Sequence, residues 1–246
     1  MTLRLTHAAE TFPIRGLFRI SRGARTESLP VVATLQEGDR IARGECMPYA
    51  RYDETIDSVR DQIESVAKAV ADGADRLALQ DLLPPGAARN AVDCAFWDLE
   101  AKRAGKRAWE LAGMAAPEGI VTAFTLSLDT ADAMGAAAAA AKDRPLLKIK
   151  LAGEGDMERV AAIRANAPDA TLIVDANEGA SPATVQALCQ AMADLGVAME
   201  EQPIPAGQDE VLATFAHPLP VCAVAACANR ARLRPMWARH SLDTPT

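Results

Sequence analysis

From about residue 119 to 223 the sequence repeats one pattern: a short apolar run, then a stretch of helical period. The runs are IVTAFTLSL, PLLKIKL, ATLIVDAN, VAMEEQP and LPVCA. Between them lie TADAMGAAAAAAKD, GDMERVAAIRANA, SPATVQALCQAMADLG and QDEVLATFA. Runs apolar on both faces, alternating with helices, require a sheet covered on both sides, which is a parallel sheet with helices outside. The expected class is therefore α/β, with five strands and four helices over this stretch. A closed (β/α)₈ barrel needs eight of each, so the expectation is an open sheet or a partial TIM-type barrel. Ser181-Pro182 reads as a helix start, with Ser as cap and Pro in the first turn.

The first 50 residues read differently, as strands and turns. VVATLQEGDRIARGECMP reads as a hairpin turning at Gly38-Asp39. In RNAVDCAFWDLEAKRAG the residues Val92, Ala95, Phe96 and Leu99 fall on one helical stripe, and Gly105 suits its end. The expected organisation is an α+β domain over 1–118 and a partial barrel over 119–223. The last stretch, 224–246, carries four Arg, one Asp and no Glu, and no strand–helix period continues into it. It is expected to be an aberrant tail.

Bulk properties exclude several classes. The net charge of −7, with no basic stripe, argues against a nucleic-acid partner. No apolar run approaches the length of a membrane span. The opening MTLRLTHAAE lacks the apolar core of a signal peptide. Five Cys without a repeated CxxC spacing suggest reduced thiols and a cytoplasmic protein.

Chemistry is expected at the carboxyl ends of the strands, where parallel α/β folds place their sites. The second strand carries Lys148 and Lys150, which a period of two puts on one face. The third carries Asp175 and Asn177, the fourth Glu200 and Glu201, and the first Thr125. Carboxylates from neighbouring strand ends suit Mg²⁺. A lysine beside a metal and a second ammonium has a lowered pKa and can take a proton near neutral pH. The metal would stabilise the enolate left when a carbon acid next to a carboxylate loses its proton.

SRGARTES, GECMPYARYDET, GAARNAVDCAFWDLEAK, LLKIKL, DATLIVDANE, LGVAMEEQPIPA and HPLPVCA together resemble the muconate-lactonizing subgroup of the enolase superfamily, and within it the L-Ala-D/L-Glu (dipeptide) epimerases. The resemblance runs from residue 1 to about 223. It implies an N-terminal α+β capping domain before the barrel and an isomerase acting on a small dipeptide, with a homo-oligomer compatible with it. It implies that Lys150 is the base on one face of the substrate α-carbon and that Lys148 contacts the substrate carboxylate. Asp175 and Glu201 resemble two of three Mg²⁺ ligands, and Arg25 and Thr125 resemble substrate contacts. The family pattern then has an Asp-Glu-Ser run and an opposing lysine. Here Val224, Ala225 and Ala226 follow PVCA, so the chain is expected to be C-terminally truncated and impaired or inactive. Muconate cycloisomerase or o-succinylbenzoate synthase chemistry, or a non-catalytic remnant, are the alternatives.

Overall fold

The computed structural model describes residues 2–20 and 23–224. The chain begins with five strands: β1 Arg4–Ala9, β2 Phe12–Ile20, β3 Gly23–Ser28, β4 Val31–Glu37 and β5 Arg40–Cys46. β4 and β5 form the hairpin expected around Gly38-Asp39, with Glu37 opposite Arg40. β1 adds antiparallel to β4, giving a sheet ordered β1-β4-β5, and β2 pairs with β3. Four helices follow: α1 Ile56–Ala71, α2 Leu79–Leu82, α3 Ala87–Ala104 and α4 Ala108–Leu111.

By its internal packing the chain forms two units. The first comprises residues up to 14 with 27–119. In α1, Val59, Ile63, Val66 and Val70 recur at helical spacing, and all are buried. The helix starts on a reciprocal cap: Thr55 Oγ1 accepts from Ser58 N–H at 3.0 Å, and Ser58 Oγ accepts from Thr55 N–H at 2.9 Å. α3 runs close to β5, and Gly44 is the reason it can. A Cβ built there would lie 2.1 Å from the Ala91 carbonyl oxygen. The core of this unit includes Leu35, Ile63, Leu79 and Leu99, all fully buried.

The second unit comprises residues 15–26 with 120 onward. Its elements are β6 Phe124–Leu126, α5 Ala131–Ala140, β7 Leu146–Lys150, α6 Asp156–Asn166, β8 Thr171–Asp175, α7 Val185–Asp194, β9 Met199–Glu201 and β10 Val221–Cys222. The five strands are parallel and ordered β10-β9-β8-β7-β6, as the strand–helix alternation predicts. Two details differ from expectation. The stretch QDEVLATFA forms a 3₁₀ helix, Asp209–Thr214, rather than an α-helix, the form short connectors often take. And α7 begins at Val185, because Ser181–Thr184 closes a separate turn through the bond from Ser181 N–H to Thr184 Oγ1.

Leu147, Ile149, Leu172 and Val174 are fully buried with Met134, Val160, Ile163 and Met192 of the surrounding helices. Arg164 fastens the far ends of two strands by donating to the carbonyls of Ala170 and Gly196, both at 2.8 Å. The β2–β3 hairpin is laced to the residues after β6. Arg19 N–H donates to Ser127 Oγ at 2.9 Å, Ser127 Oγ donates to the Leu17 carbonyl at 3.1 Å, and Leu128 N–H donates to the Arg19 carbonyl at 3.0 Å. The expected tail lies outside the described residues, apart from Val224. No helix among the described residues is long and apolar enough to cross a membrane.

Candidate active site

Register decides which side chains meet. β7 pairs with β8 so that Lys150 sits opposite Asp175, and β8 pairs with β9 so that Asp175 sits opposite Glu201. Lys150, Asp175 and Glu201 therefore form one row across three strand ends. One rung down, Thr125 of β6 is the partner of Lys148. Side chains alternate along a strand, so the Lys148 and Lys150 rungs share a face, while Leu147 and Ile149 point to the helices.

The charged groups of the two rungs converge. Lys150 Nζ is 2.6 Å from Asp175 Oδ2. Lys148 Nζ is 3.1 Å from Asp175 Oδ2 and 2.5 Å from Glu201 Oε2. All four side chains are largely sheltered, with Asp175 only 2% exposed. Asp175 Oδ1 is held by Asn177, through its backbone N–H at 3.0 Å and its Nδ2 at 2.7 Å. One oxygen of Asp175 is thus fixed by its own loop and the other faces the lysines.

The electrostatics follow from this crowding. Burial raises the Asp175 pKa, but the bonds and charges of Lys150 and Lys148 outweigh it and leave the carboxyl below its ordinary range. For Lys148, burial lowers the pKa, and the hydrogen bond to Glu201 with the charge of Asp175 reverses that, so its ammonium is held above the ordinary lysine range. This differs from the lowered lysine pKa expected from sequence. Lys148 faces two carboxylates at contact distance, and opposite charge favours its ammonium.

The backbone around the carboxylates is strained. Asn177, Glu178 and Gln202 adopt φ of +48°, +68° and +43°, directly after Asp175 and Glu201. Non-glycine residues in this region cost of order ~1–3 kcal/mol each and cluster at functional sites. Nothing in the residue types announced this. The other residues expected at the site are placed as follows. Thr125 shares the Lys148 rung. Arg25 is exposed on β3, with its guanidinium 5.9 Å from the Phe18 ring centre, and among the described residues no ion pair joins it to Asp175 or Glu201. Glu200 points to the opposite face and is fully buried.

The donor set suits a hard cation. Asp175 and Glu201 hold one ammonium between them, so the pair is already arranged around a positive centre. Oxygen donors of this kind are what Mg²⁺ takes. Among the described residues no third His, Cys, Asp or Glu joins them in a metal-holding cluster.

Comparison with known proteins agrees with this architecture. Residues 3–113 match the family profile described as "Mandelate racemase / muconate lactonizing enzyme, N-terminal domain", and residues 131–245 match "Enolase C-terminal domain-like". The L-Ala-D/L-Glu epimerase of Escherichia coli strain K12 is 46% identical over 238 residues, covering 95% of this chain and 73% of the relative. The chain belongs to the dipeptide epimerases of the enolase superfamily. An enolase family member from Agrobacterium tumefaciens, described as homologous to dipeptide epimerases and solved with sodium and L-Ala-L-Glu, superposes with a TM-score of 0.91 at 44% identity, covering 96% of this chain and 73% of that one. The dipeptide epimerase of Cytophaga hutchinsonii, solved with Mg and D-Ala-L-Val, shares the fold at 22% identity and a TM-score of 0.90, covering 98% of this chain and 70% of that one. The superfamily fold is an N-terminal capping domain followed by a parallel α/β domain, and both are present here.

Proposed function

We propose that the site removes the α-proton of the C-terminal residue of an L-Ala-D/L-Glu-type dipeptide. The observation that carries this reading is the convergence of Lys148, Lys150, Asp175 and Glu201 from three adjacent strand ends of a parallel sheet. Asp175 and Glu201 would hold Mg²⁺, which when bound supplies positive charge beside the substrate carboxylate. Lys148 orients that carboxylate. Lys150 takes the α-proton on one face and returns it to the same face. Thr125, on the Lys148 rung, and Arg25, on the hairpin, contact the remainder of the dipeptide.

Inversion needs a second proton donor on the opposite face, and of the four converging side chains Lys150 alone is placed as a base. The chemistry that these residues support is therefore one-sided exchange rather than efficient epimerisation. The test is proton NMR in D₂O with excess Mg²⁺ and both L-Ala-D-Glu and L-Ala-L-Glu. The expected outcome is slow deuterium incorporation at the α-carbon of one epimer, abolished in Lys150→Ala. Formation of the other epimer at ordinary turnover would overturn the one-sided reading. Exchange that persists in Lys150→Ala would overturn the assignment of the base.

A further inference from the structure

The loop that follows Lys150 is organised by a residue with no place in the chemistry above. Asp156 opens α6 and is 4% exposed. Its carboxylate turns back toward the loop. It accepts from Ala152 N–H at 2.9 and 3.1 Å and from Gly153 N–H at 2.8 Å. Arg159, one turn along α6, donates to Asp156 Oδ1 at 2.9 Å and to the Glu154 carbonyl at 2.8 Å. The same guanidinium reaches out of this loop. Its Nε donates to the carbonyl of Asp129, in the loop after β6, at 3.0 Å. Gly155 lies beneath it with φ +81°, and a Cβ there would come within 3.4 Å of Arg159 Nη2. The loop backbone thus makes room for the guanidinium.

We infer that Asp156 and Arg159 are positioning residues that join the loop after β7 to the loop after β6. One end of the clamp begins two residues beyond Lys150. The other reaches Asp129, next to Ser127 and Leu128, which bind the backbone of Leu17 and Arg19 in the hairpin. The clamp sets the Lys150 strand end and the hairpin seat in one fixed relation, which positions both for the reaction. Charged hydrogen bonds are the stronger class, and only the forked guanidinium can serve both loops at once. A lysine at 159 could keep a charge near Asp156 but could not also hold Asp129.

The clamp matters to catalysis only if Lys150 is the base, so the inference rests on the proposed function, but its test does not. Residue-resolved amide hydrogen exchange is measured on the full chain. In Asp156→Asn, exchange is expected to quicken about tenfold or more at Ala152 and Gly153, and also at Leu128. In Arg159→Lys, Ala152 and Gly153 stay protected while Leu128 and Arg19 are released. In the double variant, Leu128 exchanges no faster than in Arg159→Lys alone, because one clamp has been opened twice. Leu172 and Val174 in the core strands should not change in any variant. Acceleration confined to Ala152 and Gly153 would overturn the inference. So would a uniform rise that includes Leu172 and Val174, which would mark a purely structural role. Should Asp156→Asn fail to fold, Arg159→Lys decides alone, and an unchanged Leu128 sinks the idea. A wild-type chain that exchanges no substrate α-proton would count against the proposed function and leave the amide result to judge the clamp.

Discussion

Glu200 and Glu201 are neighbours with opposite fates. Glu201 faces the lysines, whereas Glu200 is fully buried on the other side of the sheet, in register with Val174 and Val221. Its carboxyl oxygens are buried, and the Cys189 thiol lies beside them. Burial pushes the Glu200 pKa up, opposed by Cys189. A carboxyl whose folded pKa is raised favours the folded state while protonated. That contribution is lost as pH rises through the folded pKa. Glu200→Met should therefore melt higher than wild type at pH 8 by about 1–3 kcal/mol, with the gap narrowing toward pH 5. Urea melts at the two pH values measure this, and an equal gap at both would refute it. The thiols are a second case. Burial raises Cys46 to about 11 and Cys189 to about 12, while Cys94 is exposed. The thiolate is the nucleophile. At pH 8 iodoacetamide should label Cys94 well before Cys46 or Cys189, as peptide mass spectrometry would show.

At the scale of elements, the sequence was most legible where one periodicity dominated. The β4–β5 hairpin, the α3 stripe and the five parallel strands follow from alternation, helical spacing and strand–helix order. The same parity argument placed Lys148 and Lys150 on one face, because a strand has only two faces, whereas the choice of Glu201 over Glu200 came from the family resemblance. Local patterns could not reveal anything that depended on bonds between loops. Asn177 bracing Asp175, the left-handed residues after both carboxylates and the Asp156–Arg159 clamp all require knowing which backbone groups approach. The QDEVLATFA stretch misled for a related reason: its composition is helical, and composition does not distinguish a 3₁₀ helix from an α-helix. Caps are testable at this scale. Thr55→Ala removes one half of the reciprocal cap on α1 and should cost about 1 kcal/mol, read from a denaturant melt. Gly44→Ala should cost far more than Gly119→Ala, since a Cβ at 44 strikes the α3 backbone while one at 119 meets open space.

At the scale of the whole molecule, the described residues form two hydrophobic cores rather than one. One gathers Leu35, Ile63 and Leu99, and the other Leu147, Leu172 and Met192. Cavities act locally, and distant sites add independently. Leu172→Ala should destabilise its own unit by about 2–5 kcal/mol. Amide exchange should quicken in β7 and β8 and stay unchanged in β4. Equal acceleration in both units would mean that they unfold as one cooperative body. The chain, however, does not pass from one core to the other only once. Residues 15–26 leave the first unit, serve the second, and return. A break after Gly119 therefore does not separate the units cleanly, because the hairpin stays covalently on the first fragment while its seat at Ser127 and Leu128 stays on the second. Two half-genes encoding 1–119 and 120–246 would make a split protein whose pieces recognise each other through the backbone of Leu17 and Arg19. The hairpin is then a tether through which the severed chain is expected to reassemble, and co-purification of the two pieces checks this.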